Sequence, residues 1–355
     1  MCDPSQQAED NRAGRGISRN HPVAARILRR WRVLTGGKAV RDVDRRALVA
    51  CSGGADSVAL AAVLAMVEPK PIIAHVIHDI RDVQIANADR DAVKLLAESI
   101  GCRFMQRAIS IKHMAGNLEH NARVGRYEAL CEMAKEEGIE FIVTGHHGDD
   151  QLETVLMHLI RGTGVRGMGG MSPIRDMDGV SIVRPMLDVS REEIESLCND
   201  AGLSWQHDLT NDDVGYLRNR IRHAVLPVLR DIEPEIVGRA SGLARSCQEA
   251  SQLIEQVVRT GIANDAMRND DRWLWSREEL RGQAPAALAE LMFVYISDVL
   301  GGVRADSVSR QSIEQVVRAI KSADTDPRVH RVGPIVVYVQ ARTVDISVAG
   351  SSASD

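Results

Sequence analysis

The chain has 355 residues, is 44% hydrophobic and 3% aromatic, and sets 44 Lys and Arg against 49 Asp and Glu. That length supports one large core or two modest ones, built from Leu, Ile, Val, Ala and Met; the net charge of −5 argues weakly against nucleic-acid binding unless basic residues cluster. No apolar run approaches the roughly 18 residues of a membrane span, and none of the six cysteines (positions 2, 51, 102, 131, 198 and 247) forms a CxxC pair, so reduced, buried thiols in a cytoplasmic setting are expected rather than disulfides or structural zinc.

The first 20 residues are polar and lack an apolar h-region, so a disordered tail is expected rather than a secretory signal. From Arg12 to Arg46 there are eleven Lys or Arg and two acids, Asp42 and Asp44; a solvated helix face and an RNA-facing patch both fit that segment. RALVAC, PIIAHVI, CRFMQRAI and IEFIVTG then read as strands, separated by the helical patterns SVALAAVLAMV, ANADRDAVKLLAESIG and NLEHNARVGRYEALCEMAKEEG. This alternation predicts an α/β fold, a parallel sheet with helices on both faces. GDDQLETVLMHLIRG reads as a helix, TGVRGMGGMSP as a flexible tract, SIVRPML as a strand and REEIESLCNDAG as a helix. Arg218 to Thr260 reads as mostly helical, broken near Pro227 and Pro234, and a small α+β domain ending in a hairpin is expected from Gly261.

Ligands of such sheets bind at the carboxyl ends of the strands, where Ser-Gly-Gly-Ala-Asp-Ser, residues 52–57, falls. Glycines let the backbone approach a phosphate, and the following helix N-terminus offers N–H groups and partial positive charge. The loop is not a Walker A motif, because no GxxxxGK[ST] occurs and TGGKAV at 35–40 lacks the following Ser or Thr. An acid in a phosphate loop repels its ligand unless a divalent cation lies between them, so Asp56 suits magnesium shared with phosphates; the structural alternative is a helix N-cap beside Ser57. Gly162 to Gly167, GTGVRG, fits a dinucleotide fingerprint but follows a helix rather than a strand, and is expected to be a mobile loop.

SGGADS resembles the PP-loop of N-type ATP pyrophosphatases, which cleave ATP to AMP and pyrophosphate, in an adenine nucleotide α-hydrolase-like fold. With HVIHDIRD, NLEHNARVGRYEAL, TGHHGDDQLETVLMHLIRGTGVRGMGGM and RPMLDVSREEIESLCNDAGLSWQHDLTNDDVGYLRNRIRHAVLPVL following in order, the chain resembles the tRNA(Ile)-lysidine synthetases, closely from about Arg26 to Leu229 and more loosely beyond. The resemblance implies that ATP adenylates the C2 carbonyl oxygen of the wobble cytidine of tRNA(Ile) with a CAU anticodon. The ε-amine of free L-lysine then displaces AMP. It implies ATP binding by Ser52, Gly53, Gly54, Ala55, Asp56 and Ser57, with Asp56, Asp150, Glu153 and Arg218 as catalytic residues. Asp56 and Asp150 are the magnesium candidates. Between Asp150 and Glu153, one would serve magnesium and the other the lysine ammonium; the structural alternative is acids favoured at a helix N-terminus. Arg123, Arg126, His146, Arg220 and Arg222 are candidate substrate or phosphate contacts, and solvated helix faces are the alternative for the arginines.

Three departures from the family pattern stand out. Ile77 and Asp79 replace the frequent Asn and Gly, which bears on contacts near the adenosine. Gly148 replaces a frequent Ala, with little consequence expected. Asp208–Asn211 lacks a frequent Pro, which bears on loop stiffness. The expected organisation is a tail (1–20), a catalytic domain (21–225), a helical linker (226–260) and a C-terminal tRNA-binding domain (261–350). In the last, Arg304, Arg310, Arg318, Lys321, Arg328 and Arg331 are available for backbone contact, and a structural or homodimer-forming role is the alternative. Two other activities compete: a PP-loop tRNA thiolase acting on cytidine or uridine, disfavoured by the scattered cysteines, and a non-catalytic nucleotide-regulated RNA-binding protein.

Overall fold

The computed structural model describes residues 16–18, 20–79, 83–114, 118–206, 217–269, 272–300 and 308–350. The expected tail up to residue 15, the Asp208–Asn211 loop and Arg304 lie outside them. The chain divides into two compact units, one comprising residues up to Met157 with Gly170–Leu243, the other His158–Gly169 with Ala244 onward.

In the first unit, helix α1 (Pro22–Leu34) leads into β1 (Ala47–Ala50), α2 (Ala55–Leu64), β2 (Ile72–His78), α3 (Val83–Ser99), β3 (Arg103–Ile109), α4 (Leu118–Glu136), β4 (Phe141–Thr144) and α5 (Gly148–Arg161). After α5 come the strands β5 (Ile174–Met177) and β6 (Val180–Val183) and α7 (Arg191–Ala201), while the intervening four-residue helix, α6 (Val165–Met168), belongs to the second unit. The strand order is β3-β2-β1-β4-β6-β5, parallel except for β5. The chain runs outward from β1 through β2 to β3 and then returns to β4 on the other side of β1. Carboxyl ends of neighbouring strands on either side of such a reversal diverge and leave a crevice, here between β1 and β4.

Adjacent apolar residues on each strand go to opposite faces, as the pleat requires. Leu48, Ile72, Ile142 and Ile182 pack with Leu130, Met133 and Ala134 of α4. Val49, Ile73, Val143 and Val183 pack on the other face with residues of α1, α2, α3 and α7. A sheet covered on both faces needs continuous apolar strands, and ALVA and FIVT supply them. Helix α2 is buried along its whole length except for Asp56 in its first turn, which explains why it is apolar all round. Helix α7 starts with a capping box in which Ser190 accepts from the Glu193 N–H and Glu193 reaches back to the Ser190 N–H.

The structure corrects three details of the sequence reading. The strand expected at SIVRPML is the second arm of a hairpin, and β5 was missed; Asp178 and Gly179 turn between the arms with φ of 52° and 80°, as a two-residue hairpin turn demands. GTGVRG is not an open loop, because α6 forms within it, the Met168 N–H donates to the Gly164 carbonyl (3.0 Å), and the His158 ring lies 2.6 Å from the Gly167 carbonyl. The break expected near Pro227 is a π-helical turn, Ile221–Val225, between α8 (Leu217–Arg220) and α9 (Leu226–Ile232). A proline ring clashes with the carbonyl four residues earlier, and a widened turn gives it room. Helix α10 (Ile236–Thr260) follows.

In the second unit, a five-stranded antiparallel sheet has the order β7-β8-β11-β10-β9, from β7 (Met267–Asn269), β8 (Arg272–Ser276), β9 (Arg328–Val332), β10 (Ile335–Val339) and β11 (Thr343–Val348). The expected hairpin is β10–β11; β7 and β8 were not foreseen. Helices α11 (Arg277–Gly282), α12 (Pro285–Leu300) and α13 (Arg310–Lys321) accompany it. The core joins Trp273, Trp275, Tyr295 and Leu291 with Val316, Ile335 and Ile346. The buried Arg277 guanidinium donates to the carbonyls of Ala319 (2.7 Å) and Ser322 (2.9 Å), supplying partners and positive charge at the carboxyl end of α13.

Gly148 matters more than expected. Its N–H donates to the Val189 carbonyl (2.8 Å), and a Cβ there would lie 2.5 Å from Val237 Cγ1 and 3.0 Å from that carbonyl. Gly148→Ala is therefore expected to cost about 1–3 kcal/mol by overpacking, with part of the loss regained in Gly148→Ala/Val237→Ala. Urea denaturation of the single and double variants checks this; an unaltered midpoint for Gly148→Ala would rule out the close approach.

Candidate active site

The loop after β1 is shaped by one hydroxyl and two glycines. Ser57 Oγ accepts the Ser52 N–H (3.1 Å) and donates to the Gly54 carbonyl (3.0 Å), closing the loop on the first turn of α2. Ser57 is thus a structural clasp, whereas the Ser52 hydroxyl lies 3.3 Å from it at a more exposed position. Gly53 has φ 95°, which side chains rarely tolerate, and its carbonyl accepts the Gln206 N–H (3.0 Å). Gly54 is the N-cap residue and Ala55 the first residue of α2. A Cβ on Gly145, just past β4, would lie 3.1 Å from the Asp56 carbonyl carbon and the Ser57 nitrogen. Glycine at 145 therefore lets the loops after β1 and β4 meet across the crevice.

The β4 loop brings acids to that meeting point. His147 Nε2 lies 3.6 Å from Asp56 Oδ2 and 3.5 Å from Asp150 Oδ2, and its Nδ1 lies 3.5 Å from Asp149 Oδ2. Burial alone would discharge this imidazole, but Asp150, Asp149 and Asp56 outweigh it and raise its pKa to about 9. His147 is therefore an imidazolium at neutral pH. Burial raises the pKa of Asp56, opposed by His147 and Arg191. Asp150 is held well below the usual carboxylate range, because His147 and Arg218 overcome the burial that would raise it.

Behind this group, Glu153 is fully buried one turn along α5. Arg218 Nε and Arg222 Nε donate to its two oxygens, each at 2.6 Å, and Arg218 Nη2 also donates to Asp150 (2.7 Å). Asp149 accepts the Arg191 N–H (2.7 Å) and pairs with Arg230. The network unites Asp56, Asp150, Glu153, Arg218 and Arg222, all singled out in the sequence. It adds His147, Asp149, Arg191 and Arg230, to which no role had been given. The i, i+3 and i, i+4 spacing on α5 was the available signal for Asp149; Arg230, 81 residues away, had none.

His146, adjacent in sequence, has the opposite charge state. Its Nδ1 is 2.8 Å from Thr144 Oγ1. Burial lowers its pKa to about 3, aided by Arg184, Arg123 and Arg218 and opposed by Asp150. Arg123 is exposed, with its guanidinium 5.7 Å from the Tyr127 ring centroid. Arg126 is exposed on α4, and Arg220 is exposed on α8, outside the network. Asp79 has a structural use: it accepts from Ser110 Oγ (2.6 Å) and from the Ile111 (2.9 Å) and Lys112 (3.2 Å) N–H groups. It thereby pins the segment after β3.

For a metal, Asp56 and Asp150 converge, and Asp56 Oδ1 is buried without a hydrogen-bond partner. Two carboxylates plus phosphate oxygens suit magnesium. Among the described residues no group of three His, Cys, Asp or Glu is arranged to hold a metal by itself.

A glycine loop carrying an acid, set between a strand and a helix at the reversal of a parallel sheet, defines a PP-loop domain, and the PP-loop domain family model matches residues 29–229. The tRNA(Ile)-lysidine synthase of Dehalococcoides mccartyi is 33% identical over 288 residues, 77% of this chain and 60% of that protein. That of Geobacter sulfurreducens is 35% identical over 255 residues, 68% and 53%. That of Salinispora arenicola is 35% identical over 293 residues, 78% and 86%. The chain thus spans little more than half the length of the first two and most of the third. It belongs to the tRNA(Ile)-lysidine synthase family of PP-loop proteins. Among solved structures, the U34-tRNA thiolase NcsA from Methanococcus maripaludis, with its [4Fe-4S] cluster, shares the fold (TM-score 0.53, 19% identity, 65% of this chain and 80% of that one). No helix among the described residues is long and apolar enough to cross a membrane.

Removing Glu153 would leave the Nε groups of Arg218 and Arg222 without their buried acceptor, with Asp150 as the one acid left beside them among the described residues. Glu153→Ala is expected to cost about 2–4 kcal/mol, and Glu153→Gln less, because an amide oxygen still accepts one bond. Chemical denaturation distinguishes this from a purely catalytic role, which would leave stability unchanged.

Proposed function

We propose that this protein ligates lysine to C2 of the wobble cytidine of tRNA(Ile) with a CAU anticodon, at the expense of ATP, releasing AMP and pyrophosphate. The observation that carries the reading is the convergence of Asp56, from the phosphate loop, and Asp150, from α5, on the His147 imidazole, in a chain of the lysidine synthase family.

The loop N–H groups and the N-terminus of α2 would take the phosphates of ATP, with the Ser52 hydroxyl beside them. Asp56 and Asp150 would hold magnesium, which supplies charge neutralisation between the acids and the triphosphate. His147, protonated at neutral pH, neutralises part of the acid charge before any ligand arrives. The C2 carbonyl oxygen of the cytidine attacks the α-phosphorus and pyrophosphate leaves; the lysine ammonium gives up a proton, its amine attacks the adenylated C2, and the C2–O bond breaks to release AMP. Asp150 is a strong anion and a weak base, which suits holding an ammonium or a metal rather than taking a proton. Glu153, with both oxygens engaged, positions Arg218 and Arg222 toward that side of the crevice.

The thiolase reading is disfavoured by the thiols themselves. Cys51, Cys102, Cys131 and Cys198 are buried, and burial raises the pKa of Cys102 to about 11 and of Cys198 to about 12. A nucleophilic or cluster-binding sulfur needs the reverse.

The test is incubation with ATP, magnesium, labelled lysine and either the tRNA(Ile) transcript or tRNA(Met) with the same anticodon. Label is expected in the first only, with lysidine seen by nucleoside mass spectrometry. Asp56→Ala is expected to reduce pyrophosphate release at least about 100-fold. ATP cleavage without lysine transfer would overturn the lysine assignment, and full activity of Asp56→Ala would overturn the phosphate and metal assignment.

A further inference from the structure

Some arginines of the first unit are paired to acids and others are not. Arg218, Arg222 and Arg230 are paired to the acids of α5, and Arg191 to Glu195. Among the described residues, Arg123, Arg175 and Arg184 have no carboxylate partner.

The strand geometry brings these three together. Ile182 faces α4, and alternation sends Arg184, two residues on, to the same face. Arg175 lies directly opposite Ile182 on β5 and shares that face. Arg123 stands over Tyr127 on α4, whose N-terminal turns lie near the carboxyl ends of the strands it crosses. Val183 is level with Val143 in the parallel pair, so Arg184 and Thr144 follow side by side at the ligand end of the sheet. Thr144 in turn holds His146.

Arg184 has a built environment rather than a solvated one. It is 4% exposed, its Nη1 donates to the Ser172 carbonyl (2.7 Å), and its Nε is buried without a partner. A buried guanidinium with no acid is costly unless an anion completes it. Burial lowers its pKa, and so does the charge of Arg123 and Arg175, while the bond with Tyr127 raises it; both exposed arginines therefore lie close enough for Arg184 to feel their charge.

We propose that Arg184, Arg123 and Arg175 form a phosphate site on the α4 face of the sheet, and that its occupant is a backbone phosphate of the substrate RNA next to the reacting base. The occupant rests on the proposed function. Position favours RNA over ATP: β6 is two strands from β1, so the site is ~10 Å to the side of the phosphate loop, and it lies on the other face of the sheet from α2. A triphosphate seated on Ser52–Ser57 does not reach it, whereas a polynucleotide carries a phosphate at every residue. Guanidinium groups suit phosphate oxygens by their planar fork.

The experiment measures binding of the tRNA(Ile) transcript over a range of KCl, and separately the KM for ATP and for lysine, in wild type, Arg175→Gln, Arg123→Gln and Arg184→Gln. Arg175 and Arg123 are exposed and have no acid partner among the described residues, so their variants are expected to fold. Each is expected to weaken tRNA binding roughly 3–20-fold and to reduce the salt slope by about one, with KM for ATP and lysine within about twofold of wild type. Unchanged tRNA affinity and slope in Arg175→Gln and Arg123→Gln overturns the site. A raised KM for ATP or lysine with tRNA binding intact assigns it instead to the triphosphate or the lysine carboxylate, and overturns the RNA assignment. Wild-type protein that binds the transcript but transfers no lysine fails the lysidine reading alone, and leaves the phosphate test standing.

Discussion

The active crevice depends on balancing four carboxylates that the fold withdraws from water. Asp56, Asp149, Asp150 and Glu153 gather around the start of α5, and Glu153 is wholly enclosed. Acids in such a place either take up protons or acquire cations. Here they acquire cations: His147 among three of them, Arg218 and Arg222 on Glu153, and Arg230 on Asp149. The helix N-terminus adds its own partial charge to Asp149 and Asp150. The RNRIRH string is therefore part of the architecture of α5 as well as a candidate ligand surface. The π-turn that carries Arg222 also accommodates Pro227 just after it.

Much of this architecture was legible because it is local. The strand, the glycine loop and the apolar helix of residues 47–64 occur in an unbroken run, and the place of the loop at a strand's carboxyl end follows from the alternation of elements, whereas the point where the sheet reverses does not. The hairpin of β5 and β6 was also written locally, in Met-Asp-Gly-Val, yet IRDM is polar and mostly exposed and so carries no apolar period. Strands β7 and β8 were hidden for another reason. RWLWS reads as a strand only in company with β11, which lies more than 60 residues later, and sheet pairing rather than propensity decides such cases.

The charge partners were not legible at all. Arg218 meets Glu153 across 65 residues and Arg230 meets Asp149 across 81, and nothing in either segment specifies the other. The adjacent histidines illustrate this best. His146 and His147 are indistinguishable as letters, yet one lies among arginines and is neutral, while the other lies among carboxylates and is charged. Arg184 was concealed inside an apolar strand pattern, where its neighbours suggested packing and its charge suggested nothing. Gly148 looked interchangeable with alanine until Val237 arrived against it from α10.

The same charge balance constrains how lysine can be used. An ammonium entering the crevice gains little from Glu153, since two guanidinium groups already satisfy both of its oxygens and would have to be displaced. Asp150 is different: it is partly exposed, strongly anionic, and shared between Arg218 and His147 rather than closed off. A cation meets less competition there, and a metal between Asp56 and Asp150 would compete for the same oxygens. Under the proposed reaction Asp150, rather than Glu153, is therefore the carboxylate open to a cation, whether magnesium or the lysine ammonium. Glu153 acts one layer behind it, by holding the arginines whose charge keeps Asp150 ionised.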